Sequence, residues 1–222
     1  MKKLLIIAIG LTFLFGLGIL SAEAIPYYPT DDTFVNKYRP DKNYNEYYHE
    51  LQLSDSPTHT RRIYLKFDLS DLTGMTITFA TLYLYASDSY DPDDVKLWRV
   101  TEHDWDEKTL TWNNQPDEDL VYITSTYIDS TGWKTWSGLE SLVQGWVDGD
   151  YQNYGIMLEC DMDSEYNELP YVYFDDNEGG NNRPYLDIET SSAPIPEPTT
   201  LLLLGSGLIG LAGIGRRRLI KF

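Results

Sequence analysis

Short runs of alternating apolar and polar residues recur every 8 to 15 residues between positions 33 and 190, separated by clusters of Asp, Asn, Gly and Pro. Alternation with a period of two is typical of half-buried β-strands. It predicts ten strands, at residues 33–36, 46–53, 61–69, 76–86, 95–100, 109–112, 120–128, 154–162, 171–174 and 185–190. Strands this short and this numerous predict an all-β fold, namely a jelly-roll-like antiparallel β-sandwich.

One segment, residues 137–148, has helical rather than strand periodicity. Its apolar residues lie on one helical face: Leu139, Leu142, Val143, Trp146 and Val147. Ser137 and Glu140 have the spacing of a capping box, and Gly149 follows as a helix terminator. The sequence therefore predicts one short amphipathic helix that covers an end of the sandwich and buries Trp146.

The N-terminal residues 1–24 have the pattern of a secretory signal peptide. Lys2 and Lys3 precede an apolar run from residue 4 to residue 20, and Ala22 and Ala24 form a small-x-small cleavage site. An uncleaved membrane anchor is the alternative. Either interpretation predicts that residues 25–193 form a single exported domain.

Residues 194–222 combine three features in a fixed order. A Pro-Glu-Pro motif is followed by seventeen uncharged residues, 199–215, and then by an arginine cluster; these residues are Pro196, Glu197, Pro198, Arg216, Arg217 and Arg218. A helix of seventeen residues is about 26 Å long, at the lower limit for crossing a bilayer, so we predict a C-terminal transmembrane helix. A permanent single-span anchor is the alternative to transient retention. The arrangement resembles the PEP-CTERM sorting signal of Gram-negative bacteria. The resemblance implies transient anchoring in the inner membrane, processing by an exosortase, and delivery to the cell surface or the exopolysaccharide matrix of biofilms.

The charge between the two terminal segments limits the possible partners. Residues 25–198 contain 11 lysines and arginines against 34 aspartates and glutamates, a formal net charge of −23. Such a field repels nucleic acid and anionic lipid and attracts divalent cations. We therefore do not expect nucleic acid to be a partner.

Several segments of the middle region together resemble one known family. These segments are 62–70 (RIYLKFDLS), 80–85 (ATLYLY), 98–102 (WRVTE), 105–116 (WDEKTLTWNNQP), 145–149 (GWVDG), 153–156 (NYGI) and 183–186 (RPYL). In order and spacing they resemble the DNRLRE domain, also described as disaggregatase-related or as carbohydrate-binding module family 96. The resemblance implies a secreted β-sandwich that binds extracellular polysaccharide.

A glycan-binding surface is predicted on the polar side of the strand at 61–69, where Arg62, Tyr64 and Lys66 alternate with apolar residues. Tyr83 and Tyr85 have the same alternation on the neighbouring strand. Flat aromatic rings pack against the C–H faces of sugars, and cationic side chains donate to sugar hydroxyls. The alternative is that the two cations form salt bridges on an exposed sheet face.

The tryptophans at 98, 105 and 112 admit two interpretations. Tryptophan is a common sugar platform, but most tryptophans of β-sandwiches pack in the core or anchor loops. The alternating polar residues between Trp105 and Trp112 are consistent with a strand edge that holds a loop, with Asn113 and Asn114 in turns. We therefore interpret these tryptophans as packing residues.

Acidic loops make a structural Ca²⁺ the expected cofactor, because calcium prefers hard oxygen ligands. The candidate ligands are Asp32, Asp161 and Asp163. Simple solvation of these carboxylates is the alternative. Because the domain is so acidic, we expect its ligand to be a neutral glycan or a polyanion that calcium bridges.

The sequence contains no motif that predicts catalysis. The three histidines lack metal-ligand spacing, and neither a nucleophile elbow nor a phosphate-binding loop is present. We predict a non-catalytic carbohydrate-binding module, not an enzyme. The alternatives are a polysaccharide hydrolase or lyase related to disaggregatase and a structural matrix protein that recognises no defined sugar.

Overall fold

A computed structural model describes residues 24–45, 49–56, 59–90, 93–160, 171–178 and 180–192. The signal-peptide prediction, apart from Ala24, and the sorting-tail predictions for 194–222 lie outside the described residues. Asp161 and Asp163 also lie outside them. Among the residues that are described, no helix has the length and apolar character needed to cross a membrane.

The described part of the chain forms eleven strands and one α-helix. The strands are β1 (Ile25–Tyr27), β2 (Asp31–Asn36), β3 (Glu50–Ser54), β4 (Arg61–Lys66), β5 (Met75–Tyr90), β6 (Asp93–Arg99), β7 (Val121–Ile128), β8 (Gly132–Ser137), β9 (Ile156–Cys160), β10 (Tyr171–Asp175) and β11 (Tyr185–Ser192). The helix α1 spans Glu140–Asp148. Every strand pair given by the register is antiparallel.

The strands join into one curled sheet that resembles half of a barrel. Its order is β1-β11-β5-β10-β3-β4-β9-β6-β7, with β2 added beside β4 and β8 beside β5. The sheet folds back on itself. This is shown by a contact between distant strands, in which the indole N–H of Trp136 on β8 donates to the carbonyl of Val95 on β6 at 2.9 Å. The predicted all-β antiparallel fold with one helix is confirmed, while its assignment to the jelly-roll class stays a prediction.

The concave side of the curled sheet contains the main hydrophobic core. The alternation predicted for this strand is confirmed, because Ile63, Leu65 and, just after β4, Phe67 pack in this core, whereas Tyr64 packs in a separate cluster on the opposite side. On β5, Leu82 and Leu84 point into the same core. Full burial of an aliphatic side chain stabilises the fold by about 1.5–3 kcal/mol.

The helix α1 begins later than predicted. Ser137 ends β8, and the helix begins at Glu140, whose carboxylate accepts the backbone N–H of Ala80 at 3.3 Å. The predicted capping box between Ser137 and Glu140 is therefore wrong, since Glu140 bonds the sheet instead. The predicted end at Gly149 is confirmed, with φ of +74°, and Trp146 is buried as expected.

The strand predicted at residues 109–112 is absent. Thr111 instead precedes a short 3₁₀-helix, Trp112–Asn114, and its N–H and hydroxyl both bond the Oδ1 of Asn114, at 2.7 and 3.0 Å. The polar alternation of this segment therefore serves turn formation rather than sheet pairing. Two described strands, β1 and β8, were not predicted.

Residues 101–119 form a long loop, here called the covering segment, that packs on the convex side of the sheet. Trp105 and Leu110 are buried there in a second apolar cluster with Tyr64 and Met157. The indole N–H of Trp105 donates to the carbonyl of Tyr154 at 2.8 Å. The interpretation of Trp105 as a packing residue is confirmed.

The turn before β9 requires glycine for two reasons. Gly155 has φ of +83°, and a Cβ at this position would lie 2.2 Å from the carbonyl oxygen of Leu65. No side chain fits that space, because the obstacle is backbone. The close approach lets β9 pair with β4 directly beneath the covering segment.

Candidate functional site

The surface predicted around Arg62 is closed. The guanidinium of Arg62 forms ion pairs with Glu159 through Nε at 3.1 Å and with Asp117 through Nη1 at 3.0 Å. The same group lies 5.2 Å from the ring centroid of Trp112. The salt-bridge interpretation of Arg62 is therefore confirmed, and its Nε and Nη1 donors are engaged within the chain.

Tyr64 is completely buried beneath the covering segment. Its hydroxyl donates to Oε1 of Gln115 at 3.1 Å, and its ring meets Trp105 edge-on with centroids 5.6 Å apart. Burial raises the pKa of the Tyr64 hydroxyl above its usual range, so the side chain stays neutral. Alternation along β4 points the Tyr64 ring outward, but the covering segment lies over it. The structure therefore does not expose the ring to a ligand, and its contact with a sugar stays a prediction.

Lys66 is held in the same way. Its ammonium group lies 2.7 Å from a carboxylate oxygen of Asp104, donates to the carbonyl of Trp105, and sits 4.7 Å from the Trp105 ring centroid. Only 16 % of the Lys66 side chain is exposed. The three residues predicted on β4 therefore clamp the covering segment to the sheet.

The two tyrosines predicted on β5 lie on an open part of the convex surface. Tyr83 pairs across the strands with Tyr185 of β11, and Tyr85 pairs with Trp133 of β8. The rings of Tyr83 and Tyr185 are parallel within 4°, with centroids 4.7 Å apart. Trp133 meets both Tyr85 and Tyr185 edge-on at 5.5 Å. These four residues are here called the aromatic face.

The aromatic face exists because β5 is flanked on both sides at this point. Residues 82, 84 and 86 of β5 are buried, so residues 83 and 85 must point outward. Trp133 remains 43 % exposed, which is unusual for so large an apolar side chain. Its neighbour Trp136 lies on the opposite side of β8 and is fully buried.

A pocket of about 240 Å³ opens at one end of the aromatic face. It is lined by Tyr28, Trp133, Gly180, Asn181, Arg183 and Tyr185. The guanidinium carbon of Arg183 lies 3.9 Å from the ring centroid of Tyr28, which is 43 % exposed. No carboxylate of the described residues forms an ion pair with Arg183. The pocket thus combines exposed aromatic rings with a planar set of uncommitted N–H donors.

Sequence reasoning missed Tyr28, Trp133, Arg183 and Tyr185 as site residues. A signal was available for two of them, because Arg183 and Tyr185 belong to the segment 183–186 that carried the family resemblance. Trp133 was missed because β8 itself was not predicted. Without that strand, the position of Trp133 beside Tyr85 cannot be derived.

The remaining candidate metal ligand, Asp32, is a buried carboxyl group. Its Oδ2 accepts the backbone N–H of Asn177 at 2.8 Å. Burial, aided by the negative charges of Glu178, Asp176 and Glu107, raises the pKa of Asp32 to about 7, although the hydrogen bond from Asn177 lowers it. Among the residues that the structure describes, no three His, Cys, Asp or Glu side chains form a group that could hold a metal.

Comparison with known families decides the identity of the domain. The model of carbohydrate-binding module family 96 matches residues 23–190. The chain belongs to this family. The DNRLRE resemblance is therefore confirmed, and the family indicates a carbohydrate-binding module built on a β-sandwich.

The tail matches a second model, the PEP-CTERM protein-sorting motif, at residues 194–218. The motif indicates export and surface sorting in Gram-negative bacteria and implies processing by an exosortase. The predicted sorting signal is thereby confirmed as a motif.

Two curated proteins are similar to parts of the family 96 chain. A gellan lyase of a Bacillus species is 36 % identical over 100 residues, which is 43 % of this chain and 4 % of that protein. The tRNA nuclease WapA of Bacillus subtilis strain 168 is 26 % identical over 164 residues, which is 72 % of this chain and 7 % of that protein. The chain thus spans less than a tenth of the length of these relatives.

Proposed function

We propose that this chain is a non-catalytic module that binds a neutral extracellular polysaccharide on its aromatic face. The observation that carries the proposal is the pair of the exposed Trp133 and the half-buried Tyr185, beside the guanidinium of Arg183, which no described carboxylate pairs. Aromatic rings of this kind pack against the apolar C–H faces of pyranoses. Arg183 would donate in-plane hydrogen bonds to sugar hydroxyls.

The charge of the domain favours a neutral ligand over a polyanion. A formal charge of −23 on residues 25–198 repels every carboxylate of an anionic chain. Arg62 and Lys66, the two cations of the surface predicted on β4, are already paired with carboxylates. Against this field, an anionic polysaccharide would have to be held by Arg183 or by a bridging cation such as calcium.

Affinity electrophoresis tests the proposal directly. The chain is run through gels that contain hydroxyethylcellulose, laminarin, dextran or gellan, the last with Ca²⁺ or with a chelator. We expect a neutral polymer to retard the wild-type chain, and Trp133→Ala to weaken the retardation at least about tenfold. The matched control is Tyr127→Ala, since Tyr127 is 60 % exposed on β7 and belongs neither to the aromatic face nor to the lining of the pocket beside it.

Two results would contradict this function. Equal retardation of the wild type and Trp133→Ala would remove the aromatic face as the site. Retardation by gellan alone, abolished by the chelator, would favour the calcium-bridged polyanion instead.

A lyase or hydrolase is the competing function, and the name of the gellan lyase relative supplies its first substrate. The match covers 4 % of that protein, so the similarity favours an accessory module over a catalytic domain. Incubation with gellan, followed by assays for reducing ends and for unsaturated products, separates the two. Steady product release by the wild-type chain would favour the enzyme, and saturable binding without release would favour the module.

The tail is proposed to hold the exported chain in the inner membrane only transiently, until an exosortase processes it near Pro196–Pro198. A matrix protein that adheres without a defined sugar is the alternative to a sorted binding module. Replacing Arg216, Arg217 and Arg218 by alanine should leave unprocessed chain in the membrane fraction. Normal surface delivery of that variant would contradict the proposed role of the arginine cluster.

A structural Ca²⁺ remains a proposal, and of the ligands Asp32, Asp161 and Asp163, Asp32 alone lies within the described residues. The acidic surroundings that raise the pKa of Asp32 are the surroundings that a cation would neutralise. Thermal unfolding with Ca²⁺ and with a chelator tests this. A melting temperature that changes with neither Ca²⁺ nor the chelator would contradict the binding of Ca²⁺ by Asp32.

A further inference from the structure

A second aromatic cluster lies on the convex surface at the other end of β5. Tyr90 of β5 stacks on Tyr171 of β10, with ring centroids 5.9 Å apart and planes within 19°. Tyr171 also packs against Tyr173 at 4.7 Å. With Ser54, His59 and Arg61, these rings line a pocket of about 420 Å³, here called the distal pocket.

A β-bulge places the distal pocket on the same side of the sheet as the aromatic face. Residues 82, 84 and 86 of β5 are buried. With strict alternation, the even-numbered residue 90 would also point into the core, yet Tyr90 is exposed. The register shifts between Tyr173 and Phe174, so that β5 inserts one extra residue opposite β10. Tyr90 consequently pairs with Tyr171 on the convex side.

Arg61 carries a donor that the described protein leaves unused. Its Nε is buried and has no hydrogen-bond partner, and no described carboxylate forms an ion pair with it. Its neighbour Arg62, by contrast, binds two carboxylates. A buried N–H without an acceptor is costly, so a rotation of the half-buried Arg61 side chain that brings this donor to a ligand oxygen in the pocket would relieve that cost.

We infer that the distal pocket is a second subsite, and that one extended polysaccharide lies along β5 from Arg183 to Arg61. The inference rests on the proposed function and specifies its ligand: an internal stretch of an uncharged chain rather than a chain end or a single sugar. Tyr90 and Tyr171 pack on sugar faces, and the guanidinium of Arg61, which lines the pocket, turns to donate to a hydroxyl or ring oxygen. No charged sugar group is needed at either end.

The geometry of β5 sets the length that the ligand must have. Tyr83 and Tyr90 are seven residues apart on one strand, which corresponds to about 23 Å at the usual rise. Between them, Asp88 and Tyr173 continue the convex surface. A chain long enough to reach both subsites gains affinity because the second contact is intramolecular.

The test combines polymer length with variants at both ends of β5. The polymers are hydroxyethylcellulose, laminarin, dextran and gellan, each intact and as short fragments from partial acid hydrolysis. The distal variants are the double substitution Tyr90→Ala with Tyr171→Ala, and separately Arg61→Gln; Tyr127→Ala is the control. Intrinsic fluorescence follows fragments at Trp133, because the lining of the distal pocket contains no tryptophan.

We expect the distal variants to weaken binding of the intact polymer about tenfold and to leave fragment binding at Trp133 unchanged. Circular dichroism and melting temperature must match the wild type, and Arg61→Gln serves if the double variant does not fold. Intact-polymer binding at wild-type strength in folded distal variants would overturn the second subsite while the proposed function stands. Equal weakening for fragments and polymer would overturn the single extended ligand. Failure of every polymer to bind, or normal binding by Trp133→Ala, would instead overturn the proposed function.

Discussion

The convex surface of the sheet has two regions with similar sequences, of which one is covered by a loop and the other is open to solvent. On β4, Arg62, Tyr64 and Lys66 point outward and are closed by the covering segment. On β5, Tyr83 and Tyr85 point outward and stay open beside Trp133. Alternation determines which side of a strand a residue occupies, but whether that side meets solvent depends on the loops that pack there.

The closed region shows how polar residues hold a loop on a sheet. Nδ2 of Asn43 donates to the carbonyls of Glu107 and Leu110 at 2.7 and 2.8 Å. The backbone N–H of Asp32 donates to Oε2 of Glu107 at 3.2 Å. Buried bonds of this kind stabilise the covering segment, whereas the open region has aromatic stacking with few polar anchors. The two regions should therefore respond differently to substitution.

The largest difference is expected for the removal of one tyrosine ring from each region. Tyr64→Ala leaves a cavity beneath the covering segment and should lower the free energy of unfolding by about 3–5 kcal/mol. Tyr85→Ala, on the open region, should cost less than about 1 kcal/mol because its ring is only partly buried. Urea denaturation measures both values. Similar losses for the two variants would contradict the contrast between a closed and an open region.

The second prediction concerns pH and the closed region, where Asp32 lies beside the covering segment. Its pKa is about 7 in the folded protein against an ordinary value of 3.8. Because the folded state binds the proton more tightly, this group stabilises the fold fully below about pH 4, and that contribution is lost as pH rises to about 7. The loss amounts to at most about 4 kcal/mol.

The substitution Asp32→Asn isolates this effect from the other carboxylates. In the presence of a chelator, the melting temperature of Asp32→Asn should exceed that of the wild type increasingly between pH 5 and pH 8. The matched control is Asp31→Asn, one residue away on β2. A difference that is independent of pH would rule out the titration of Asp32, and a Ca²⁺-dependent gain in the wild type alone would assign it to a metal instead.

The third prediction concerns the open region. Arg183→Ala should weaken polysaccharide binding about fivefold, since it removes the planar guanidinium over Tyr28 together with its hydrogen-bond donors. Arg183→Lys keeps the charge but not the planar donors, so it should recover only part of that affinity. Isothermal titration with the polymer that binds best measures both variants. Full recovery by lysine would mean that charge alone, and not hydrogen-bond geometry, accounts for the effect.

Much of the fold was predictable from local pattern. The burial of Ile63 and Leu65 and the helical face that buries Trp146 follow from periods of two and 3.6 residues. The start of α1 was not predictable, because Glu140 bonds Ala80 of β5 and not the helix terminus. The local sequence pattern gave the wrong prediction here because the side chain it assigned to the helix cap makes a tertiary contact instead.

The candidate site was predictable only in part. Tyr83 and Tyr85 were found from alternation, but their partners Trp133 and Tyr185 come from strands that are distant in sequence. The register that joins them depends on strand pairing, which a single sequence does not specify. The closure over Tyr64 was unpredictable for the same reason, since the tryptophans of the covering segment indicate packing but do not specify the strand on which the segment packs.

The smallest effect on binding is expected for Arg62→Ala, the residue that sequence alone favoured as a sugar contact. Its guanidinium binds Glu159 and Asp117 and has little exposure, so polymer binding should stay at the wild-type level. Stability should fall by about 0.5–1 kcal/mol, as for other partly exposed ion pairs.

Burial already raises the pKa of Glu159 against the opposing charge of Arg62. Without Arg62 the pKa rises further, so the stability deficit should be larger at pH 7 than at pH 4, where Glu159 is protonated.

Urea denaturation at the two pH values, together with affinity electrophoresis of the same variant, checks both parts of this prediction. Glu159→Gln is the matched partner variant, and in its background the additional cost of Arg62→Ala should lose most of its pH dependence. Weakened polymer binding by a folded Arg62→Ala chain would mean that the covering segment opens to admit the ligand. In that case the closed and open regions would both belong to the binding surface, and the contrast between them would describe the unliganded state alone.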